Sequence, residues 1–155
     1  MKKVVIPIII FFIVAIAAVY IPVSIRLDYF RYENELTAHL AAQKEGGEII
    51  AEYKGQKTRL IDGNADKLIW AATLTERQRI FIKPGYDEAD AATILFSDGA
   101  KLIFAPLEET GDKALIVYIF EGRTRYYSLK GYKTMEWVFK IISPEGYYAP
   151  NEVVK

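Results

Sequence analysis

His39 is the only histidine in the chain, and there is no cysteine. These two facts narrow the available chemistry. A structural zinc site draws four ligands, mostly from Cys and His, so a lone histidine would need carboxylates for the rest. A Ser-His-Asp arrangement would have to recruit His39 to Ser97, Ser128 or Ser143, and no motif joins them. His39 is therefore expected to be a partly exposed structural residue beside an apolar stripe. A glycosidase needs only two carboxylates, and acids are plentiful, but so small a domain leaves little room for a deep sugar cleft. The string Asp87-Glu88-Ala89-Asp90 matches an acidic motif of helicases. The phosphate-binding loop that works beside that motif is absent from the sequence, so the string reads as an acidic, solvated loop. It also lacks the spacing and the glycine of a calcium loop. The sequence predicts no catalytic residue, no metal and no cofactor, and hence a non-enzymatic protein.

The aromatic residues carry the functional expectation. Eleven tyrosines, eight phenylalanines and two tryptophans make up 14% of the chain. Tyr126, Tyr127, Tyr132, Trp137, Tyr147 and Tyr148 crowd its C-terminal third. Exposed Tyr and Trp bury large areas at low entropic cost, so they mark protein interfaces or stack on sugars. The competing reading is ordinary core and sheet packing. Net charge is zero. Lys2 and Lys3 are the only charges before residue 24, so the remainder is slightly acidic. A nucleic-acid surface would need a basic excess, and none is expected.

The most conspicuous stretch is the uncharged run Val4 to Val23. A helix of that length, at about 1.5 Å per residue, spans roughly 30 Å, the thickness of a bilayer core. Pro7 falls in its first turns, and Pro22 near its far end, where it is expected to kink the helix. Tyr20 suits interfacial depth. A retained membrane anchor at residues 1–23 is predicted. The alternative is a cleaved signal peptide, with Lys2-Lys3 as its basic start and Ala15-Ile16-Ala17 as a cleavage site, which would release the rest as a secreted protein. The apolar run continues well past Ala17, which favours the anchor. Flanking Lys and Arg residues tie, and a short N-terminal tail before a long C-terminal domain favours an inside N-terminus and an outside C-terminus.

Residues 24–47 read as a membrane-proximal amphipathic helix. Ile25, Tyr29, Tyr32, Leu36 and Leu40 form its stripe, Arg31, Glu35 and Gln43 lie opposite, and Gly46-Gly47 stops it. Residues 48–155 read as one extracytoplasmic domain. Short strands are expected at 48–54, 56–61, 79–83, 92–96, 101–104, 114–120 and 123–129. Turns are expected at Lys54-Gly55, at Asp98-Gly99 (type I′) and at Glu121-Gly122. The apolar strand 114–120 is the expected sheet centre. Asn64 is expected to cap a helix running from Ala65 to about Leu74, with Leu68, Ile69, Ala72 and Trp70 supplying its buried side. A last helix over 132–142 carries the stripe Met135, Val138, Phe139 and Ile142. Tight turns between strands, without regular β-α alternation, predict an α+β fold. It would comprise an N-terminal transmembrane helix and an antiparallel sheet with helices on one face.

In layout the chain resembles single-pass envelope proteins, though no motif assigns it to a family. The predicted function is a membrane-anchored protein whose outward domain binds another protein or assembles a membrane complex. The alternative is a cell-wall or polysaccharide-binding module using the C-terminal aromatics, followed by a small carboxylate-based hydrolase. The predicted partners are the lipid bilayer and a membrane or envelope protein.

Overall fold

A computed structural model of the chain describes residues 2–73, 77–107, 113–131 and 133–154, with side chains from residue 6 onward. It divides into two compact units, Met1–Glu35 and Leu36–Lys155. The first helix, α1, spans Lys2–Lys44 and contains both Pro7 and Pro22. Proline cannot donate to the carbonyl four residues back, yet the helix continues through both positions. The Ser24 hydroxyl donates to the Ile21 carbonyl at 2.8 Å, just past Pro22.

In the first unit, the apolar side chains from Ile6 to Val23 are exposed all around the helix, Phe11 by 70% and Val19 by 67%. A helix apolar on every face and covered by nothing of its own is suited to lipid. Among the described residues it is one helix long and apolar enough to cross a bilayer.

The second unit begins with the last turns of α1, which end at Gly46, where φ is 105°. There follow β1 (Ile49–Tyr53), β2 (Gln56–Arg59), α2 (Asp62–Ala72), β3 (Arg77–Ile80), a short 3-10 turn (Glu88–Asp90), β4 (Ala92–Phe96), β5 (Lys101–Pro106), β6 (Lys113–Phe120), β7 (Arg123–Lys130), α3 (Thr134–Ile142) and β8 (Glu152–Val154). The strands form one antiparallel sheet in the order β3-β7-β6-β5-β4-β1-β2-β8. The architecture is α+β.

Register assigns the two sheet faces. Leu102, Phe104, Ile116, Tyr118 and Tyr127 share one face, and all are buried. Helix α3 packs on β5 and β6, and α2 packs on α3. The Phe139 ring of α3 stacks on Tyr53 of β1 at 4.3 Å. On the opposite face Ala105, Leu115 and Val117 form a second cluster, flanked by Ile80, Tyr86, Ala91 and Tyr126. The sheet is thus buried on both faces at β6, where Ala114 to Tyr118 are all buried. That accounts for the continuous apolar run of β6, whose neighbours across the sheet need partners on either side.

Several expectations give way to the structure. β6 lies inside the sheet, but β4 and β5 hold its middle. Helix α2 starts at Asp62 after Ile61, and Asn64 is a fully buried member of it rather than its cap. Trp70 points outward, not into the core. Gln43 faces inward, its amide donating to the Leu60 carbonyl at 2.9 Å. β3 is four residues long and begins at Arg77. The predicted end of α2 at Leu74 lies outside the described residues. Positive φ at both central positions occurs at Lys54-Gly55 and Glu121-Gly122, so these make the type I′ turns. At Asp98-Gly99 only the glycine has positive φ, because the Asp98 carboxylate accepts from Ala100 N at 3.1 Å and holds a different turn.

Candidate functional site: an aromatic basin beside the C-terminal segment

The aromatic surface is assembled by two helices and one extended segment. On α2, Lys67 and Trp70 are three residues apart and so share a helix face. The buried side of α2 is Ala65, Leu68, Ile69 and Ala72, which turns Lys67 and Trp70 outward. On α3, Met135, Val138, Ile141 and Ile142 go into the core, and Trp137 and Lys140 remain on the outer face.

The third part is the segment after α3, which is held by two buried asparagines. The Asn64 carbonyl oxygen accepts from the backbone N–H groups of Tyr147 at 3.1 Å and Tyr148 at 2.9 Å. Its amide donates to the Ala149 carbonyl and to Asn151 Oδ1, both at 2.8 Å. The Asn151 amide in turn donates to the carbonyls of Ile141 at 2.8 Å and Ser143 at 2.7 Å. Every polar atom of these two amides therefore has a partner, as buried polar groups require. The segment passes through Gly146, where φ is +65°. A Cβ there would collide with the Ala149 carbonyl oxygen and the Asn64 amide.

These supports bring Trp70, Trp137, Tyr147 and Tyr148 together. Trp137 stacks on Tyr147 at 5.5 Å with 28° between planes, and Tyr147 meets Tyr148 edge-on at 4.8 Å. The Lys67 ammonium lies 3.7 Å from the centre of the Trp70 ring, 5.0 Å from that of Trp137 and 5.5 Å from that of Tyr147. All three distances fall within cation–π range. Lys140 lies 5.4 Å from the Tyr147 ring. Gly63, Asp66, Lys67, Trp70 and Tyr148 line an open basin of about 600 Å³. Trp70 is 50% exposed, Trp137 42% and Tyr148 64%. Asp66 is bridged by Lys44 at 3.2 Å. Nearby in sequence, Glu145 has its carboxyl held below the usual range by its own backbone N–H and the Ser143 hydroxyl.

Of the residues singled out from sequence, Trp137, Tyr147 and Tyr148 meet in this surface. Tyr126 and Tyr127 do not. Tyr127 is fully buried on the helix-covered sheet face, and Tyr126 packs at the edge of the opposite cluster. They alternate across β7, as strand geometry requires. Tyr132 lies outside the described residues. Trp70, Lys67 and Asp66 are additional members. The three-residue spacing of Lys67 and Trp70 was visible in the sequence, but which face of α2 the core would take was not.

Elsewhere, His39 is buried, contrary to its expected partial exposure. Its Nδ1 lies 2.6 Å from the Asp98 carboxylate and its Nε2 2.8 Å from the Tyr118 hydroxyl. Its ring stacks on Phe96 at 4.6 Å and meets Phe120 edge-on at 4.9 Å. No serine takes part. Nδ1 and the Asp98 carboxylate, and Nε2 and the Tyr118 hydroxyl, are thus paired at hydrogen-bond distance. Both nitrogens are occupied, by a part-exposed carboxylate on one side and a buried hydroxyl on the other, so the arrangement fastens the end of α1 to the β4–β5 turn and to β6. The Asp87-Glu88-Ala89-Asp90 string forms the 3-10 turn, with Asp87 accepting from Ala89 N at 2.9 Å. Asp90 lies 3.6 Å from Lys54. Among the described residues, no group of three or more His, Asp or Glu side chains could hold a metal ion.

The chain matches no family model, no characterised protein and no solved structure.

Proposed function

We propose that this chain is a non-enzymatic, single-pass membrane protein whose domain lies outside the membrane and binds an envelope polysaccharide at the aromatic basin. The single observation that carries this reading is the pair of exposed rings, Trp70 and Tyr148, bounding a basin that also presents Asp66 and Lys67. Sugars offer apolar C–H faces for rings to cover, together with hydroxyls that need both acceptors and donors. A carboxylate, an ammonium and two ring walls supply all three. The basin also falls within the roughly 300–1,000 Å³ usual for small-ligand sites. Sequence alone put a protein partner first. Protein hot spots, however, are well-packed aromatic anchors that exclude water, and an open basin with two charged groups departs from that pattern. The exposed apolar helix Ile6–Val23 supports the anchor.

The test uses the full chain in mild detergent, mixed with insoluble cell-wall material and sedimented. The protein is expected to pellet with the wall, and Trp70→Ala or Tyr148→Ala is expected to leave it in the supernatant. Equal pelleting of both variants with the wild type would remove the basin from the function.

A specific observation supports the protein-binding reading as second. Phe81 is 73% exposed and Ile82 82%, directly after the edge strand β3. An exposed apolar pair beside unpaired backbone is suited to strand addition by a partner. Crosslinking in intact cells would recover a stoichiometric protein partner, lost in Phe81→Ser with Ile82→Ser, if that reading holds.

A further inference from the structure

Lys67 is unusual among the charged residues of this surface. Its ammonium is surrounded by ring faces, and among the described residues no carboxylate lies within ion-pair distance of it. The carboxylates closest in sequence on the two helices are engaged elsewhere, Asp66 with Lys44 at 3.2 Å and Glu136 with Lys133 at 3.1 Å. Lys140 likewise has a ring, Tyr147, as its partner. Although the chain is neutral overall, the basin holds an ammonium that no carboxylate among the described residues pairs with. The rings also fix it in place, so an incoming anion would not have to bear the ordering cost of a free lysine side chain.

We propose that the basin selects acidic saccharides, a sugar carboxylate or phosphate closing on Lys67 Nζ while the sugar ring lies between Trp70 and Tyr148. This rests on the polysaccharide reading and adds the charge class of the ligand. The rings that surround Lys67 strengthen the contact by excluding water from one side of the ammonium, which raises the weight of each charge-assisted hydrogen bond. Asp66 repels an anion, but its charge is balanced by Lys44. Its oxygen is left to accept from a neighbouring hydroxyl.

The experiment compares two preparations of the same insoluble cell-wall material. One is untreated. The other has its phosphodiester-linked polymers stripped with hydrofluoric acid and its carboxyl groups amidated. The full chain in detergent is titrated against each. The wild type is expected to bind the untreated wall about tenfold more tightly than the treated wall. Lys67→Met is expected to bind both at the lower level, and Lys67→Arg to keep most of the preference. Applying the two treatments singly shows whether phosphate or carboxylate is the recognised group. Equal wild-type binding to both preparations overturns the acidic selectivity and leaves the polysaccharide reading standing. No wild-type binding to either preparation overturns both. The wild-type comparison decides the question even if Lys67→Met fails to fold.

Discussion

Asn64 and Asn151 are hydrogen-bonded to one another at 2.8 Å, linking the first turn of α2 to the residue before β8. Between them they satisfy seven backbone or side-chain contacts within one buried site. The segment carrying Tyr147 and Tyr148 is thus positioned by polar groups under it as well as by the stack of Tyr147 on Trp137. Truncating one partner leaves the others buried and unpaired, at about 1–3 kcal/mol each. Asn64→Ala is expected to lower stability by about 3 kcal/mol and to weaken wall binding as well. Asn64→Asp is expected to be nearly as damaging, since it places a carboxylate against the Ala149 carbonyl. Thermal unfolding followed by tryptophan fluorescence checks the first effect and sedimentation with wall material the second.

Gly146 is constrained twice, by its left-handed backbone and by the lack of space for a Cβ. Gly146→Ala is expected to cost more than the roughly 1 kcal/mol that a left-handed alanine alone would cost, because the segment must also move off Asn64. Gly55→Ala has the same sign of φ but open space around it, and is expected to show the backbone penalty only. The difference between the two unfolding midpoints measures the steric part.

His39 should matter for stability rather than for chemistry. His39→Ala removes a stacked ring and two polar contacts, the one to Tyr118 buried, and a loss of about 2–4 kcal/mol is expected. Tyr118→Phe keeps the ring and removes the hydroxyl that meets Nε2, for a loss of about 1–2 kcal/mol. A double-mutant cycle of these two is expected to show coupling. Strict additivity would mean that the 2.8 Å contact carries no energy.

Trp70→Ala removes an exposed ring. The fold is expected to tolerate it, with unfolding changed by less than about 1 kcal/mol, while wall binding falls at least tenfold. Tyr127→Ala should do the reverse. It empties a fully buried position in β7 and is expected to destabilise by about 3–5 kcal/mol. Measuring stability and binding on both proteins separates a surface ring from a core ring.

The proposed anchor predicts retention of the N-terminus. Membranes washed with alkaline carbonate are expected to keep the chain, and mass analysis of the extracted protein is expected to find Lys2 and Lys3 still attached. A mature protein beginning after Ala17 would instead mean a cleaved signal and a secreted product.

Much of this was legible in local sequence. The apolar run, the helix stop at Gly46-Gly47, the turn residues Lys54-Gly55 and Glu121-Gly122, and the alternation of Tyr126 and Tyr127 all follow from neighbours a few residues apart. Backbone propensity and side-chain period act over that range. An α+β fold with an antiparallel sheet follows from the same signals, because short turns leave no room for parallel crossovers. Tertiary structure decided what depends on residues far apart in the chain. Asn64 looked like a helix cap because a cap needs only local partners. It is instead claimed by Tyr147 and Tyr148, 83 and 84 positions away. His39 looked half-exposed until Asp98 and Tyr118 closed over it. Trp70 is compatible with a buried position in the local pattern of α2, and the packing of α2 in the fold turns it outward instead. The sheet order and the convergence of Trp70, Trp137, Tyr147 and Tyr148 had no local signature at all, since each joins elements whose pairing is set by packing of the whole core.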